Sequence, residues 1–175
     1  MIESTGVVGN VHRDPGLTER YARMLREERV ERIVVSRFES NRARLLKVSD
    51  RGSEVALILP TGSSLHDGDV VSLRDDLMVV VTREPERVAV LRLRETGEPL
   101  EMVEMAFRVG HSLGNLHRPI AVEHLEVRLP IQAESEMEML RKLFSDLSDH
   151  LEIFPATMIF DPELGEEDHV HADSS

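Results

Sequence analysis

The chain has 175 residues, a length typical of one domain or two small ones, and 41% of them are apolar, which is enough to build a hydrophobic core. It carries 21 Lys and Arg residues against 33 Asp and Glu residues, a formal net charge of −12. Because it has no cysteine, disulfide frameworks, thiolate zinc sites, iron–sulfur clusters and cysteine nucleophiles are excluded.

Short apolar segments separated by turn signals predict a β-rich N-terminal domain. The strand-like segments between residues 31 and 82 are ERIVVSRF, NRARLLKV, EVALILP and the apolar stretches of LHDGDVVSLRDDLMVVV. Ahead of them, Tyr21, Met24 and Leu25 have helical spacing and predict one or two helical turns. We therefore expect a first domain over residues 1–84, which ends in the short TREPER segment.

The next part of the chain predicts a strand, a helix and two further strands. RVAVLRLR is the strand, and Pro99 suits the first turn of the helix. The helix carries a stripe of residues at a spacing that places them on one face: Leu100, Val103, Phe107 and His111. Two strands then follow in IAV and LEVRLPI.

A second helix and a last strand complete the pattern. Ser135 and Glu138 predict a capping box at the start of that helix, and Pro155 in LEIFPATMIF predicts an edge strand. The order β-α-β-β-α-β is that of a ferredoxin-like domain, here over residues 85–165. Residues 166–175 lack apolar periodicity and predict a flexible tail. The expected fold class is therefore α+β.

The excess of acidic over basic residues is confined to the C-terminal half. Residues 1–95 hold 16 basic and 16 acidic side chains, whereas residues 96–175 hold 5 basic and 17 acidic ones. A negative field repels phosphate backbones, so we expect no nucleic-acid partner. The start, MIESTGVVGN, lacks a signal-peptide pattern, and there is no apolar run of about 18 residues. We expect a soluble, cytoplasmic protein with no membrane association.

The motifs of common enzyme classes are missing from the sequence. It contains no GxSxG, P-loop, GxGxxG or HExxH motif, and nothing in the spacing of its Ser, His and Asp residues indicates a catalytic triad. We therefore expect a protein that is not an enzyme. A metal-dependent hydrolase is the weakest of the alternatives.

The histidines are the most informative residues, because six of the eight lie in the acidic half. His111 and His117 flank the Gly-Asn pair of GHSLGNLH, and His169 and His171 lie in the predicted tail. Imidazole binds Ni, Cu, Zn and Co, and one His per chain holds a metal tightly only where a two-fold axis brings two copies together. A packed histidine at 111 and a solvated terminus at 169 and 171 remain open alternatives. No metal role is predicted for the remaining four: His12, His66, His124 and His150.

At GHSLGNLHRPI the sequence resembles the urease accessory protein E family, the nickel metallochaperones of urease assembly. The resemblance extends through most of the chain. Its segments, in order, are GSEVALILPTGSSLHDGDVV, TREPERVAVLRL, EMVEMAFRVGHSLGNLH and IFDPELG.

The resemblance implies a β-rich domain similar to a peptide-binding domain, a ferredoxin-like metal-binding domain, and a homodimer with nickel at its two-fold axis. It makes His117 the interface ligand, matches His111 to a further His of some members, and matches His169 and His171 to tail ligands. The implied function is delivery of Ni(II) to apourease, as a bound cargo that Zn or Cu can replace in vitro. The implied partners are a urease accessory GTPase and the accessory–apourease complex.

The sequence departs from the family pattern in three respects. Leu116 stands where the family has Arg, and Ile131 and Ala133 fall where some members have a second His pair. The tail is shortened to HVH, so we expect delivery of nickel rather than its storage. The alternative function is that of a peptide-binding co-chaperone whose histidines have no specific metal role.

Overall fold

The protein is represented by a computed structural model that describes residues 1–95 and 98–162, and the chain divides into two compact units. The first unit is Met1–Glu84 and the second is Pro85–Ser175. Both combine helices with β-sheet, which confirms the α+β class predicted from the sequence. None of the helices in the described ranges has the length and apolar character needed to span a bilayer.

The first unit begins with two short strands and a helix and continues with five longer strands. Its elements are β1 (Ile2–Ser4), β2 (Gly9–Asn10), α1 (Pro15–Arg26), β3 (Val30–Val35), α2 (Arg37–Ser40), β4 (Arg44–Val48), β5 (Glu54–Ile58), β6 (Asp69–Leu73) and β7 (Met78–Arg83). The strands form two sheets with the orders β1-β5-β4 and β2-β6-β7-β3. Val, Leu and Ile side chains from both sheets pack in one buried cluster. The five longer strands correspond to the apolar segments predicted as strands, except that the end of ERIVVSRF lies in α2, which Ser36 caps.

Helix α1 is longer than the one or two turns predicted. It covers 12 residues, and Asp14 caps its start: the Oδ1 atom accepts hydrogen bonds from the backbone N–H of Gly16 (2.8 Å) and of Leu17 (3.2 Å). Pro15 follows at the first helical position, where its missing N–H costs nothing. Leu17 and Met24 are buried against the four-stranded sheet. The Asp14-Pro15 pair before α1 indicates where the helix starts, which the spacing of Tyr21, Met24 and Leu25 does not.

The second unit has the β-α-β-β-α-β order predicted from the sequence. Its elements are β8 (Glu86–Leu93), α3 (Pro99–Gly114), β9 (Ala121–Glu123), β10 (Glu126–Pro130), α4 (Glu134–Leu143) and β11 (Leu151–Met158). They form a four-stranded sheet with the order β11-β8-β10-β9. Strand β11 lies at the edge of this sheet, where Pro155 is tolerated, so the prediction of an edge strand is confirmed.

Both helices of the second unit pack on one face of its sheet. Ala89 and Leu91 of β8 belong to the same buried cluster as the inward side chains of the helices. The helical members of this cluster are Met105, Val109 and Leu113 of α3 and Met137 and Leu140 of α4. Val88 and Val90 point to the opposite face, where Phe160 covers them. The alternation of β8 thus places apolar side chains on both faces of the sheet.

Two details of the helices differ from the sequence-based expectations. Helix α4 starts at Glu134 with Ala133 as its N-cap and no side-chain cap bond, so the predicted capping box of Ser135 and Glu138 is wrong. The helix begins two residues earlier than a capping box at Ser135 requires, so Ser135 already lies inside its first turn. In α3 the predicted stripe does share one face, but this face is exposed. The residues that face the core are offset from the predicted stripe.

Candidate metal centre

The candidate site lies at the C-terminal end of α3. Asn115 is the C-cap, and the chain then makes a tight turn in which Leu116 N–H donates to Leu113 O (3.0 Å) and His117 N–H donates to Gly114 O (3.1 Å). His117 has a φ of 50°, in the left-handed region that glycine and asparagine occupy most readily. The backbone conformation ends the helix and leaves the His117 side chain exposed.

The residues on either side of His117 anchor this turn to the unit. Leu116 is partly buried against the hydrophobic core, so it contributes packing to the turn. The guanidinium of Arg118 donates to Glu136 Oε2 of α4 (2.9 Å) and also to the Pro130 carbonyl oxygen. His117 is thus an exposed imidazole between two fixed neighbours. Sequence analysis did not single out Arg118 or Glu136, and the Arg-Pro pair after His117 was the available signal.

His111 lies in the last turn of α3 and is exposed. The alternative that it is a packed core histidine is therefore wrong. Its Nε2 atom lies 3.4 Å from Nδ2 of Asn115, a long contact that the side-chain amide makes from the C-cap. His111 and His117 belong to the same helix end, one in the last turn and one in the turn that follows.

The helix end supplies an electrostatic reason to attract a cation. The last carbonyls of an α-helix carry a partial negative charge, which favours positive charge near the C-terminus. The acidic excess of the chain lies in the same half of the sequence. A cation at His117 would be attracted by the carbonyl groups at the helix end and by the acidic side chains.

The other predicted ligands cannot be placed. His169 and His171, and the whole predicted tail over 166–175, lie outside the described residues. Within residues 1–95 and 98–162 no group of three or more metal-ligating side chains is present. Neither Ile131 nor Ala133 has a side chain that can bind a metal: Ile131 is buried in the core and Ala133 is the N-cap of α4.

Three histidines without a predicted metal role each lie near a carboxylate. His12 Nε2 is 3.2 Å from Asp67 Oδ2, and His150 Nε2 is 4.0 Å from Glu101 Oε1. His124, at the turn between β9 and β10, has its Nδ1 atom 3.9 Å from Oε1 of its neighbour Glu123. It also shares with His117 a left-handed backbone, with a φ of 53°.

Comparison with known proteins finds a matching family and several relatives. The family described as "UreE urease accessory protein, N-terminal domain" matches residues 5–83. The chain is 33% identical over 147 residues to the urease accessory protein UreE of Natronomonas pharaonis, 32% over 125 residues to that of Burkholderia ambifaria, and 30% over 141 residues to that of Yersinia kristensenii. These matches cover 83%, 71% and 78% of this chain and 64%, 54% and 60% of the relatives. The chain thus spans less than two thirds of the length of these relatives.

The relatives are named as accessory proteins of an enzyme, urease. An accessory protein is not itself the enzyme, which agrees with the expectation drawn from the missing catalytic motifs. The chain is similar to urease accessory proteins UreE over most of its length, and the resemblance inferred from GHSLGNLH and the accompanying segments is confirmed.

Proposed function

We propose that this protein is a homodimeric, cytoplasmic metallochaperone that binds Ni(II) and delivers it to apourease during assembly of the urease metallocentre. The observation that carries the proposal is His117: an exposed imidazole on an anchored turn, at a helix end that favours cations, in a chain that is similar to urease accessory proteins UreE. Nothing is catalysed in this function. The nickel ion is cargo.

The ligand set suits a carrier that must release its metal. In the proposed site His117 from each of two copies binds the ion, and His111, the tail residues His169 and His171, or water complete its coordination. Imidazole and water exchange more readily than a closed thiolate cage, which the chain could not build because it has no cysteine. The partners that receive the ion would be a urease accessory GTPase and the accessory–apourease complex.

Isothermal titration with nickel tests the proposal. His117→Ala is expected to remove the tightest site, whereas His124→Ala is expected to leave it unchanged. His124 is a matched control, because it too is exposed and has a left-handed backbone in the same unit. Unchanged high-affinity nickel binding in His117→Ala would contradict the assignment.

Three further measurements examine the ligands of the proposed site. Because imidazolium cannot bind a metal, nickel affinity should fall as the pH is lowered below neutrality, and a flat profile would indicate carboxylate ligands alone. Deletion of residues 166–175 should weaken binding by about tenfold, since it removes tethered auxiliary ligands while His117 stays. Cu(II) should compete effectively in vitro and Zn(II) should also bind, as expected for a nitrogen-rich site.

A second candidate function is a peptide-binding co-chaperone, and one observation favours it. The outer face of β4 and β5 carries exposed aliphatic side chains where a solvent-facing sheet normally has polar ones: Leu46, Val48 and Ile58. Equilibrium dialysis separates the two functions. The absence of bound nickel at micromolar free metal, together with binding of apolar peptides that Leu46→Ser weakens, would favour the co-chaperone.

A further inference from the structure

Strand β4 forms one edge of the sheet β1-β5-β4, and no strand of the described ranges pairs with its free side. An edge strand presents unpaired backbone N–H and C=O groups to which a further strand can bind, and proteins commonly protect such edges with short strands or with proline. Strands β1, β2 and β9 have only two or three residues each, and β11 contains Pro155. Strand β4 has five residues, no proline and a continuous register with β5, so its edge lacks these protections.

The direction of the backbone groups of β4 follows from its hydrogen bonds to β5. At one end of the pairing, Leu59 N–H donates to Ala43 O (2.7 Å). In an antiparallel pair, alternate residues make such bonds, so the odd-numbered residues after Ala43 also bond to β5. The residues between them direct their N–H and C=O groups to the free side: Arg44, Leu46 and Val48.

Strand β3 approaches the free side of β4 only at one end. Asp50 N–H donates to Arg32 O (2.9 Å), and Arg32 N–H donates to Asp50 Oδ1 (2.8 Å). Two residues away from this joined pair, Val34 and Val48 are 49% and 62% exposed, and β3 and β4 belong to different sheets. The free side of β4 is therefore open from Val48 to Arg44.

The outer side chains of this edge are apolar at one end and basic at the other. Leu46 is 63% exposed. Arg42 and Arg44 are also exposed, and within residues 1–95 and 98–162 neither of them has an ion pair. Lys47, in contrast, is held by Glu39, with 3.1 Å between Nζ and Oε1. A strand bound at this edge meets an apolar surface beside two positive charges that the unit itself does not neutralise.

We propose that the free edge of β4 binds an extended segment of a partner protein, both apolar and acidic, as an additional antiparallel strand. Backbone hydrogen bonds to Arg44, Leu46 and Val48 provide affinity, and alternate apolar side chains of the segment pack on Leu46 and Val48. Carboxylates at the next two alternate positions face Arg44 and Arg42 and select the charge of the partner. A second copy is disfavoured at this edge, because its own β4 would bring two more positive charges.

The inference goes beyond nickel delivery and does not depend on it. Strand β4 belongs to the first unit, whereas the candidate metal centre belongs to the second. The inference deepens the peptide-binding alternative, on which it rests for a peptide partner, by naming the edge, the orientation and the charge of the bound segment. The nickel titration of His117→Ala decides nickel delivery, and peptide binding to the wild type decides the inference.

The first test measures binding of a defined peptide to the full chain by fluorescence anisotropy. The probe is the fluorescein-labelled heptapeptide Val-Thr-Val-Thr-Glu-Thr-Glu. In an antiparallel pairing its valines lie opposite Val48 and Leu46, and its glutamates lie opposite Arg44 and Arg42. The same peptide with glutamine at both glutamate positions should bind about tenfold more weakly at low salt.

Methylated versions of the probe test whether it binds as a strand. Methylation of the backbone nitrogen of the second valine should abolish binding, because that N–H points towards β4 in the antiparallel pairing. Methylation of the second threonine is the matched control, since its N–H points away from β4. It should leave binding unchanged.

The second test exchanges the charges. Arg44→Glu should weaken binding of the glutamate peptide by about tenfold and should strengthen binding of the same peptide with lysine at both glutamate positions. Arg26→Glu is the matched control, because Arg26 is exposed on α1 of the same unit and the substitution changes the net charge equally. It should leave both affinities unchanged. Both variants replace exposed side chains and should fold normally.

The third test follows amide hydrogen exchange by NMR. The N–H groups of Leu46 and Val48 should exchange rapidly in the free protein, because they point to the open side. Bound glutamate peptide should slow their exchange by at least about tenfold. The N–H groups of Leu45 and Lys47 bond to β5 and should be protected with or without the peptide.

Each outcome decides a separate part of the inference. If the glutamate peptide does not bind to the wild type, or if methylation of its second valine has no effect, the added strand is wrong. Equal affinities for the glutamate and glutamine peptides, or an unchanged affinity in Arg44→Glu, would overturn the acidic partner. Protection of Leu46 that rises with protein concentration in the absence of peptide would identify a second copy as the occupant and overturn the partner protein.

Discussion

The two helices of the second unit pack on the same face of one sheet, yet they differ in the side chains that they expose to solvent. Helix α4 buries Met137 and Leu140 and surrounds them with charged residues: Glu134, Glu136, Glu138, Arg141 and Lys142. Helix α3 buries its own apolar row and exposes a second one, which includes Leu100 and Phe107. The most exposed apolar side chains of α4 are Met139 and Leu143, each 42% exposed, whereas Leu100 and Phe107 of α3 are 80% and 74% exposed. A helix with two apolar faces is typical of an element that serves both a core and an interface.

The largest expected effect separates the two faces of α3. Leu113 is buried, as Leu140 is in α4, so Leu113→Ala and Leu140→Ala should each lower the free energy of unfolding by about 3 kcal/mol. Leu100→Ala, on the exposed row, should change it by less than about 0.5 kcal/mol. Urea denaturation at low protein concentration measures all three. If Leu100→Ala and Leu113→Ala lowered the free energy of unfolding equally, both rows of α3 would contribute to the core.

The next effect tests the link between the two helices. Arg118, after α3, bonds to Glu136 of α4 and to a backbone carbonyl, and its side chain is only 27% exposed. Arg118→Ala should cost about 1 to 2 kcal/mol of unfolding free energy, because a largely enclosed charge-assisted contact is lost. Arg141→Ala is the control, since its pair with Glu134 is 3.8 Å long and exposed. Its cost should be below about 0.5 kcal/mol.

A smaller effect distinguishes how the helices end. Helix α4 passes into Phe144 with a negative φ of −108°, whereas the turn after α3 needs the left-handed His117. His117→Gly should stabilise the fold by about 0.5 kcal/mol, because glycine adopts this conformation without a Cβ clash. His117→Ala keeps the clash and should not stabilise. Thermal denaturation of both variants measures the difference. Stabilisation by His117→Ala as well would show that the side chain, and not the backbone, carries the strain.

The smallest effect concerns the sheet that both helices share. Glu126 accepts hydrogen bonds from Arg92 Nε (2.7 Å) and Arg128 Nη2 (2.8 Å). The bond from Arg128, followed by that from Arg92, holds the pKa of Glu126 below its ordinary value of 4.5. A depressed carboxyl pKa contributes stability above the unfolded-state pKa and loses it as the pH falls through the folded-state pKa.

Unfolding free energy should therefore decline as the pH falls from about 5 to about 3. Glu126→Gln should reduce this slope, because an amide does not titrate. Glu138→Gln, an exposed position on α4, is the control and should leave the slope unchanged. Identical slopes for wild type and Glu126→Gln, from urea denaturation at each pH, would contradict the role of the Arg pair.

Local chemistry determined much of this protein directly. Alternating and apolar runs predict the longer strands, Pro155 predicts an edge strand, and the order of segments predicts β-α-β-β-α-β, because these features depend on neighbours in sequence. The candidate ligands stay predictions, which the family resemblance indicates. The Gly-Asn-Leu-His element singles out His117, and a flanking His singles out His111, without any knowledge of the fold.

Tertiary structure decided what spacing alone cannot distinguish. Helix α3 carries two apolar rows with helical period, and only packing against β8 and β10 determines that Val109 and Leu113 go inside while Phe107 stays outside. The exposure of His111 follows from that choice, which is why the sequence left open whether it was packed. The left-handed backbone of His117 likewise depends on the anchors at Leu116 and Arg118, which come from the core and from α4. Periodicity records which residues share a face, but the face that is buried depends on the elements that lie opposite it.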